Sequence, residues 1–237
     1  METHGHHLHK APGKNIWHYF FEFLMLFLAV FTGFLVENFR EHRMEKEKGV
    51  EYLNSFYIDL KTDTLNFENL ILEYEQKISI LNSRRDCFNL IGSNLDSKNC
   101  MNAIFNASSQ FPDLVYTDRT LQQLKNAGGL RLLDRADADK ILVYDNLLRQ
   151  FVKHETTALQ ETQNEIRSYI FSIKKYNASS NNKSPILLIN NSENINHYFN
   201  LLDQYEFLCT LNLKDLKEIK INARSIIVYI KDKYHFE

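Results

Sequence analysis

Residues 16–36 read IWHYFFEFLMLFLAVFTGFLV. As a helix these residues rise about 31 Å, the thickness of a bilayer's hydrocarbon core. No charge interrupts the run from Phe23 to Val36. Trp17 and Tyr19 stand at its N-terminal end, where amphipathic rings favour the headgroup level, and Lys14 lies just outside. Glu37, Arg40, Glu41 and Arg43 follow at the other end. A cleaved signal peptide would close on a small-x-small site, whereas this chain continues Glu37-Asn38-Phe39-Arg40. The reading is an uncleaved transmembrane helix that leaves the bilayer into a charged helical stretch.

Two polar residues lie within the span. His18 and Glu22 are four apart and share a helix face, which Ala29 and Gly33 continue. A small-xxx-small pair admits a second helix closely, and a carboxylate inside a membrane needs a partner. That face predicts self-association or pairing with another membrane protein. The competing reading puts His18 and Glu22 at headgroup depth and makes the small pair incidental. For orientation, Arg40, Arg43, Lys46 and Lys48 outnumber Lys10 and Lys14, which favours a cytoplasmic C-terminal domain. Interleaved glutamates weaken that signal.

Outward from the span, Val50, Leu53, Tyr57, Leu60, Thr64, Phe67, Ile71, Tyr74, Ile78 and Leu81 recur at spacings of three and four. This is the a/d seam of a bundle or coiled-coil helix, and it predicts one helix running from the span to about residue 90. Glu45 to Lys48 balance in sign and read as a solvated stalk. Residues 92–116 are rich in Asn and Ser and read as a linker with room for one short helix. In TDRTLQQLKNAGGLRLL, residues 117–133, Thr117 or Asp118 caps a short helix with Leu121 and Leu124 inward. Gly128-Gly129 ends that helix through a left-handed residue, and its spacing fits no phosphate loop.

Asp134 caps a second long helix, about 135–176, whose stripe is Ile141, Leu148, Val152, Leu159, Ile166, Tyr169 and Ile173. Asp145 and Glu155 interrupt that seam about 15 Å apart, too far to share a proton or a metal, and read as register-fixing polar residues. Residues 177–191 form a second linker. Two amphipathic helices, 192–209 and 213–234, then follow, with Ile195, Phe199, Leu202 and Leu208, and Leu216, Ile219, Ala223, Ile226 and Ile230, as core sides. The fold class is therefore all-α: an N-terminal transmembrane helix (16–36) continuing into a long helix, and a soluble domain (37–237) built as a helical bundle around an antiparallel long-helix hairpin with shorter C-terminal helices.

Composition agrees. With 7 glycines and 3 prolines, the chain lacks the turn residues that a sandwich or barrel would need. A net charge of −2 offers no basic excess for nucleic acid. Cys87, Cys100 and Cys209 have no CxxC spacing, so they form no zinc knuckle, and pairing of Cys87 with Cys100 stays open.

The tail, residues 1–15, holds HGHHLHK at 4–10. His4, His6, His7 and His9 are candidate ligands for Zn, Cu or Ni, although no Cys and no carboxylate beyond Glu2 joins them. No motif for catalysis or for cofactor binding is present, and His154 and His197 stand alone. Partner contact is expected at the helix junction holding Arg119, Gln122, Lys125, Arg131 and Arg135. The functional expectation is a non-enzymatic, membrane-anchored scaffold, interaction or sensing protein, with lipid bilayer and a homo-oligomer or another membrane protein as partners. The alternatives are metal handling by the tail and an enzyme of unrecognised type.

Three stretches, NIWHYFFEFLMLFLAVFTGFLVENFREH, TDRTLQQLKNAGGLRLL and ARSIIVYIKDKYHFE, together resemble a family of uncharacterised single-pass membrane proteins of Bacteroidetes-type bacteria. The resemblance spans most of the chain, though this His-rich tail is less basic than the tails of many relatives. It implies an inner-membrane anchor with the tail inside and the domain in the periplasm, against the local charge count. It implies no reaction.

Overall fold

The computed structural model describes residues 16–89, 96–110, 112–175, 186–187 and 192–236. The histidine tail and most of the linker at 177–191 lie outside the described residues. The chain divides into two compact units, Met1–Lys48 and Gly49–Glu237.

The described part of the first unit is the beginning of helix α1, Ile16–Asn82. It has the length and composition to cross a membrane. Its apolar side chains are exposed on every side, Trp17, Leu26, Phe34 and Val36 among them. Phe23, Phe27 and Phe31 stack along one side, with ring centroids 6.3 and 5.8 Å apart. Beyond the apolar run, Glu37 pairs with Arg40 and Arg43 with Glu47, at the three- and four-residue spacings that bring helix neighbours together.

The second unit is an all-α bundle. From Leu53 to Leu81, α1 buries the seam expected of it, with Leu60, Phe67, Tyr74 and Leu81 fully enclosed. The helix stops at Asn82, short of residue 90, where Ser83 turns the chain and its hydroxyl bonds the Ile80 carbonyl. Arg84 then donates to the Leu81 carbonyl and pairs with Asp203, so an orphan carbonyl of the helix end is satisfied by a side chain. Helix α2 (Arg84–Asn89) and helix α3 (Asp96–Ser109) follow, joined by a Cys87–Cys100 disulfide.

The chain then returns alongside α1. Lys77 meets the carbonyls of Ala107 and Gln110, Asp63 meets Thr117, and Gly49 lies against Leu132. This descending leg holds an extended stretch, helix α4 (Arg119–Asn126) with Leu121 and Leu124 buried, and a 3-10 turn, Gly129–Leu132. Gly128 adopts φ 68° between them, the left-handed conformation its sequence position predicts. Asp134 is the N-cap residue of helix α5 (Arg135–His154). A π turn, Glu155–Leu159, carries α5 into helix α6 (Gln160–Ile173). Tyr144 reaches Asp63 and Glu155 reaches Tyr74, so α5 runs parallel to α1.

A two-residue antiparallel pairing of Lys174–Lys175 with Ile186–Leu187 precedes helix α7, Ser192–Tyr234. The two short helices expected here are one. Thr210-Leu211-Asn212-Leu213 holds neither Gly nor Pro, and Asn212 is buried with its amide on the Tyr74 hydroxyl. α7 runs antiparallel to both long partners: Lys217 and Lys220 pair with Glu75 and Glu68 of α1, while Gln204 meets Thr162 of α6. The antiparallel hairpin is thus α5–α6 with α7, and the descending leg fills the fourth position of an up-down-up-down bundle.

Candidate functional site

The residues singled out by sequence fall into different surroundings. In the apolar run, His18 Nε2 lies 3.4 Å from Glu22 Oε1, so the Glu22 carboxylate finds a partner one turn away on its own helix. Thr32 bonds back to the Leu28 and Ala29 carbonyls, and a Cβ on Gly33 would meet nothing within 4 Å. The Ala29–Gly33 face is open.

At the helix junction, Arg119, Gln122, Arg131 and Arg135 are exposed. Gln122 bonds Asp118 and Asn126, and Arg135 lies 3.8 Å from Asp139. Lys125 differs. Its ammonium donates to both oxygens of the buried Asp145, at 3.1 and 3.0 Å, and Arg149 approaches the same carboxylate at 2.6 Å. Asp145 therefore holds α4 against α5, consistent with a register-fixing role. The histidines are peripheral: His154 lies 3.2 Å from Asp215, and His197 packs edge-on against Tyr169.

The interior holds more polar chemistry than the motifs suggested. Tyr74 of α1 donates to Glu155 in the π turn at 3.3 Å and receives the Asn212 amide at 3.4 Å. Burial pushes the Glu155 carboxyl up to about 7, with the Tyr74 hydrogen bond opposing the rise. Nearby, Lys77 donates to Ala107 and Gln110 carbonyls at 2.6 and 2.5 Å and lies 5.8 Å from the Tyr205 ring. Burial lowers the Lys77 ammonium and lifts the Cys209 thiol to about 12, so that thiol is held protonated and unreactive. About four turns farther down α1, Asp63 accepts from the Thr117 backbone amide at 2.7 Å and from Tyr144 at 3.2 Å, and burial raises its carboxyl to about 6. The far end is clasped by Lys233, bonded to Asp134 and the enclosed Asp137, which also receives the Tyr234 hydroxyl.

These groups sit on different helices and serve each other. Among the described residues no group of three or more His, Cys, Asp or Glu side chains is placed to hold a metal ion. What the domain turns outward includes large apolar side chains: Ile58, Leu65 and Leu72 on α1, and Phe207, Ile221 and Val228 on α7. Sequence periodicity overlooked them because the buried stripe beside them is the stronger signal. No family model matches the chain, and no curated protein or solved structure is similar to it.

Proposed function

We propose that this protein is a non-enzymatic helical module, tethered by a single span in the bacterial inner membrane, that holds or senses a protein partner there. The observation carrying this reading is the contrast between the two kinds of surface. Residues 16–36 expose apolar side chains on all sides, as a lipid-facing helix does. Buried Tyr74 and Glu155, and Asp63 and Tyr144, bond to each other across the domain's own helices, while Ile58, Leu65, Leu72, Ile221 and Val228 are left outside.

A periplasmic position for the domain is supported by the Cys87–Cys100 bridge, since disulfides persist in oxidising compartments, and by the family resemblance of the sequence. The test is a pair of topology reporters fused after residue 237 together with alkaline extraction of membranes. Full-length chain retained in the membrane pellet, with the periplasmic reporter active, is the expected result. A chain shortened near residue 36, or released intact by alkali, overturns the tether.

A further inference from the structure

Glu155 enters the core from the π turn that joins α5 to α6. Among the described residues no cation pairs with it. From α1, Tyr74 offers its hydroxyl at 3.3 Å. One turn on, the Lys77 ammonium is committed to the carbonyls of Ala107 and Gln110, and Glu73 beside it faces outward. From α7, Asn212 gives its amide to Tyr74, the Cys209 thiol is neutral, and Asp215 is taken by His154. On α6, Gln163 is buried and uncharged. The charge that does act on Glu155 is negative: Asp113 of the descending leg, which together with burial opposes its ionisation.

Asp113 belongs to residues 112–117, which form no helix or strand. No backbone–backbone hydrogen bond ties them to the rest of the described chain. They are fastened at their two ends instead. Lys77 grips the Gln110 carbonyl just before them, and Asp63 accepts from the Thr117 amide at 2.7 Å. Between those points Pro112 is buried and Leu114 and Tyr116 pack on the core, while Asp113 and Val115 face out. A segment held this way opens at a lower free energy than the helices around it, which carry their own hydrogen-bond ladders.

Charge on Glu155 therefore has one easy outlet. An anion there, with one hydroxyl as donor and Asp113 as neighbour, is strongly disfavoured while the leg lies closed over the bundle. Lifting residues 112–117 removes Asp113 and admits water, whereas moving α1, α6 or α7 would break packed helices. We propose that residues 112–117 are a strap that Glu155 keeps fastened while it carries its proton and releases when it ionises, with Thr117 on Asp63 as the hinge and the inner sides of Leu114 and Tyr116 uncovered on release. Burial holds the Glu155 proton up to about 7, which places the release near neutral pH. The device lies within the domain and depends neither on the tether nor on a partner.

The experiment is hydrogen–deuterium exchange of the full chain, unaltered and as Glu155→Gln, near pH 8 and near pH 4. Each amide is compared with itself in the other chain at the same pH, so the intrinsic pH dependence of exchange cancels. Asp63, which titrates over a neighbouring range, is present in both chains and cancels too. Near pH 8 the amides of Leu114, Val115 and Tyr116 should exchange at least about tenfold faster in the unaltered chain, and near pH 4 the two chains should agree within about twofold. Asp113→Asn, a change on the exposed side, should slow Val115 and Tyr116 near pH 8 by a smaller factor. Over the same times the amides of residues 205–213 in α7 should stay protected in every chain. Equal strap exchange in the unaltered and Glu155→Gln chains near pH 8, or a difference that persists near pH 4, overturns the strap. So do strap amides that exchange only together with those of α7, because the whole domain then opens at once. Should Glu155→Gln fail to fold, Asp113→Asn decides alone, and no slowing near pH 8 overturns the proposal.

Discussion

Glu155 carries its carboxyl into the bundle where the helix widens, and its titration follows from that placement. The folded protein keeps this proton up to about pH 7, while the unfolded chain releases it near 4.5. Its contribution to stability is therefore complete below pH 4.5, falls as the pH rises through about 7, and is gone above that. Asp63, shifted from 3.8 to about 6, acts in the same direction over a lower window. Glu155→Gln should keep a hydrogen-bonding group opposite Tyr74 and remove the ionisation, stabilising the domain at pH 8 by up to about 3 kcal/mol. Near pH 4 the gain should vanish, as read from denaturant midpoints. A variant equally destabilised at both pH values would refute this account. Lys77 presents the opposite case: Lys77→Met strips the carbonyls of Ala107 and Gln110 of their donor. About 2–4 kcal/mol should be lost, measured by urea unfolding.

Among the described glycines, the closest approach to another element is where α1 passes the 3-10 turn. A Cβ on Gly49 would stand 2.6 Å from the Leu132 carbonyl oxygen, so backbone must move. Gly49→Ala should cost about 1–3 kcal/mol, whereas Gly33→Ala, facing open space, should leave the melting temperature unchanged. Element identity was readable in the sequence wherever a stripe was regular and its ends were signalled, as with Leu53 to Leu81, Gly128 and Asp134. It was not readable at Thr210–Leu213, where two stripes seemed to meet but no breaker stood between them. The π turn left a fainter trace. Phe151, Glu155, Leu159 and Gln163 are buried at three successive spacings of four, a sequence that rotates off a regular α-helical face and is absorbed by the wider turn. The Glu155–Tyr74–Asn212 cluster was hidden for another reason: its members come from three helices, 81 and 138 positions from Tyr74.

At the scale of the whole molecule, the bundle is closed by contacts between distant parts of the chain. Lys233 joins α7 to the start of α5 through Asp134 and Asp137, and Asp137 is wholly enclosed. Asp137→Ala would leave Tyr234 without its acceptor and Lys233 with Asp134 alone, and should cost about 2–4 kcal/mol, seen as a fall in thermal midpoint. The disulfide joins α2 to α3 across a separation of 13 residues, with Cα atoms 5.6 Å apart. Cys100→Ser should cost about 3 kcal/mol, and a reducing agent should bring the unaltered protein to the same midpoint. If the midpoint does not move under reduction, the bridge contributes nothing to the fold.

That bridge also makes the covalent link between α2 and α3 double. Only one peptide path leads from the helix that holds the apolar span to the rest of the bundle, and the sulfur link spans part of it. A protease cutting once between Cys87 and Cys100 would leave two polypeptides that still travel as one particle. They would part on a reducing gel and migrate together on a non-reducing one. A cleavage that would otherwise free the later helices from the span becomes, in an oxidising compartment, an injury the molecule survives intact.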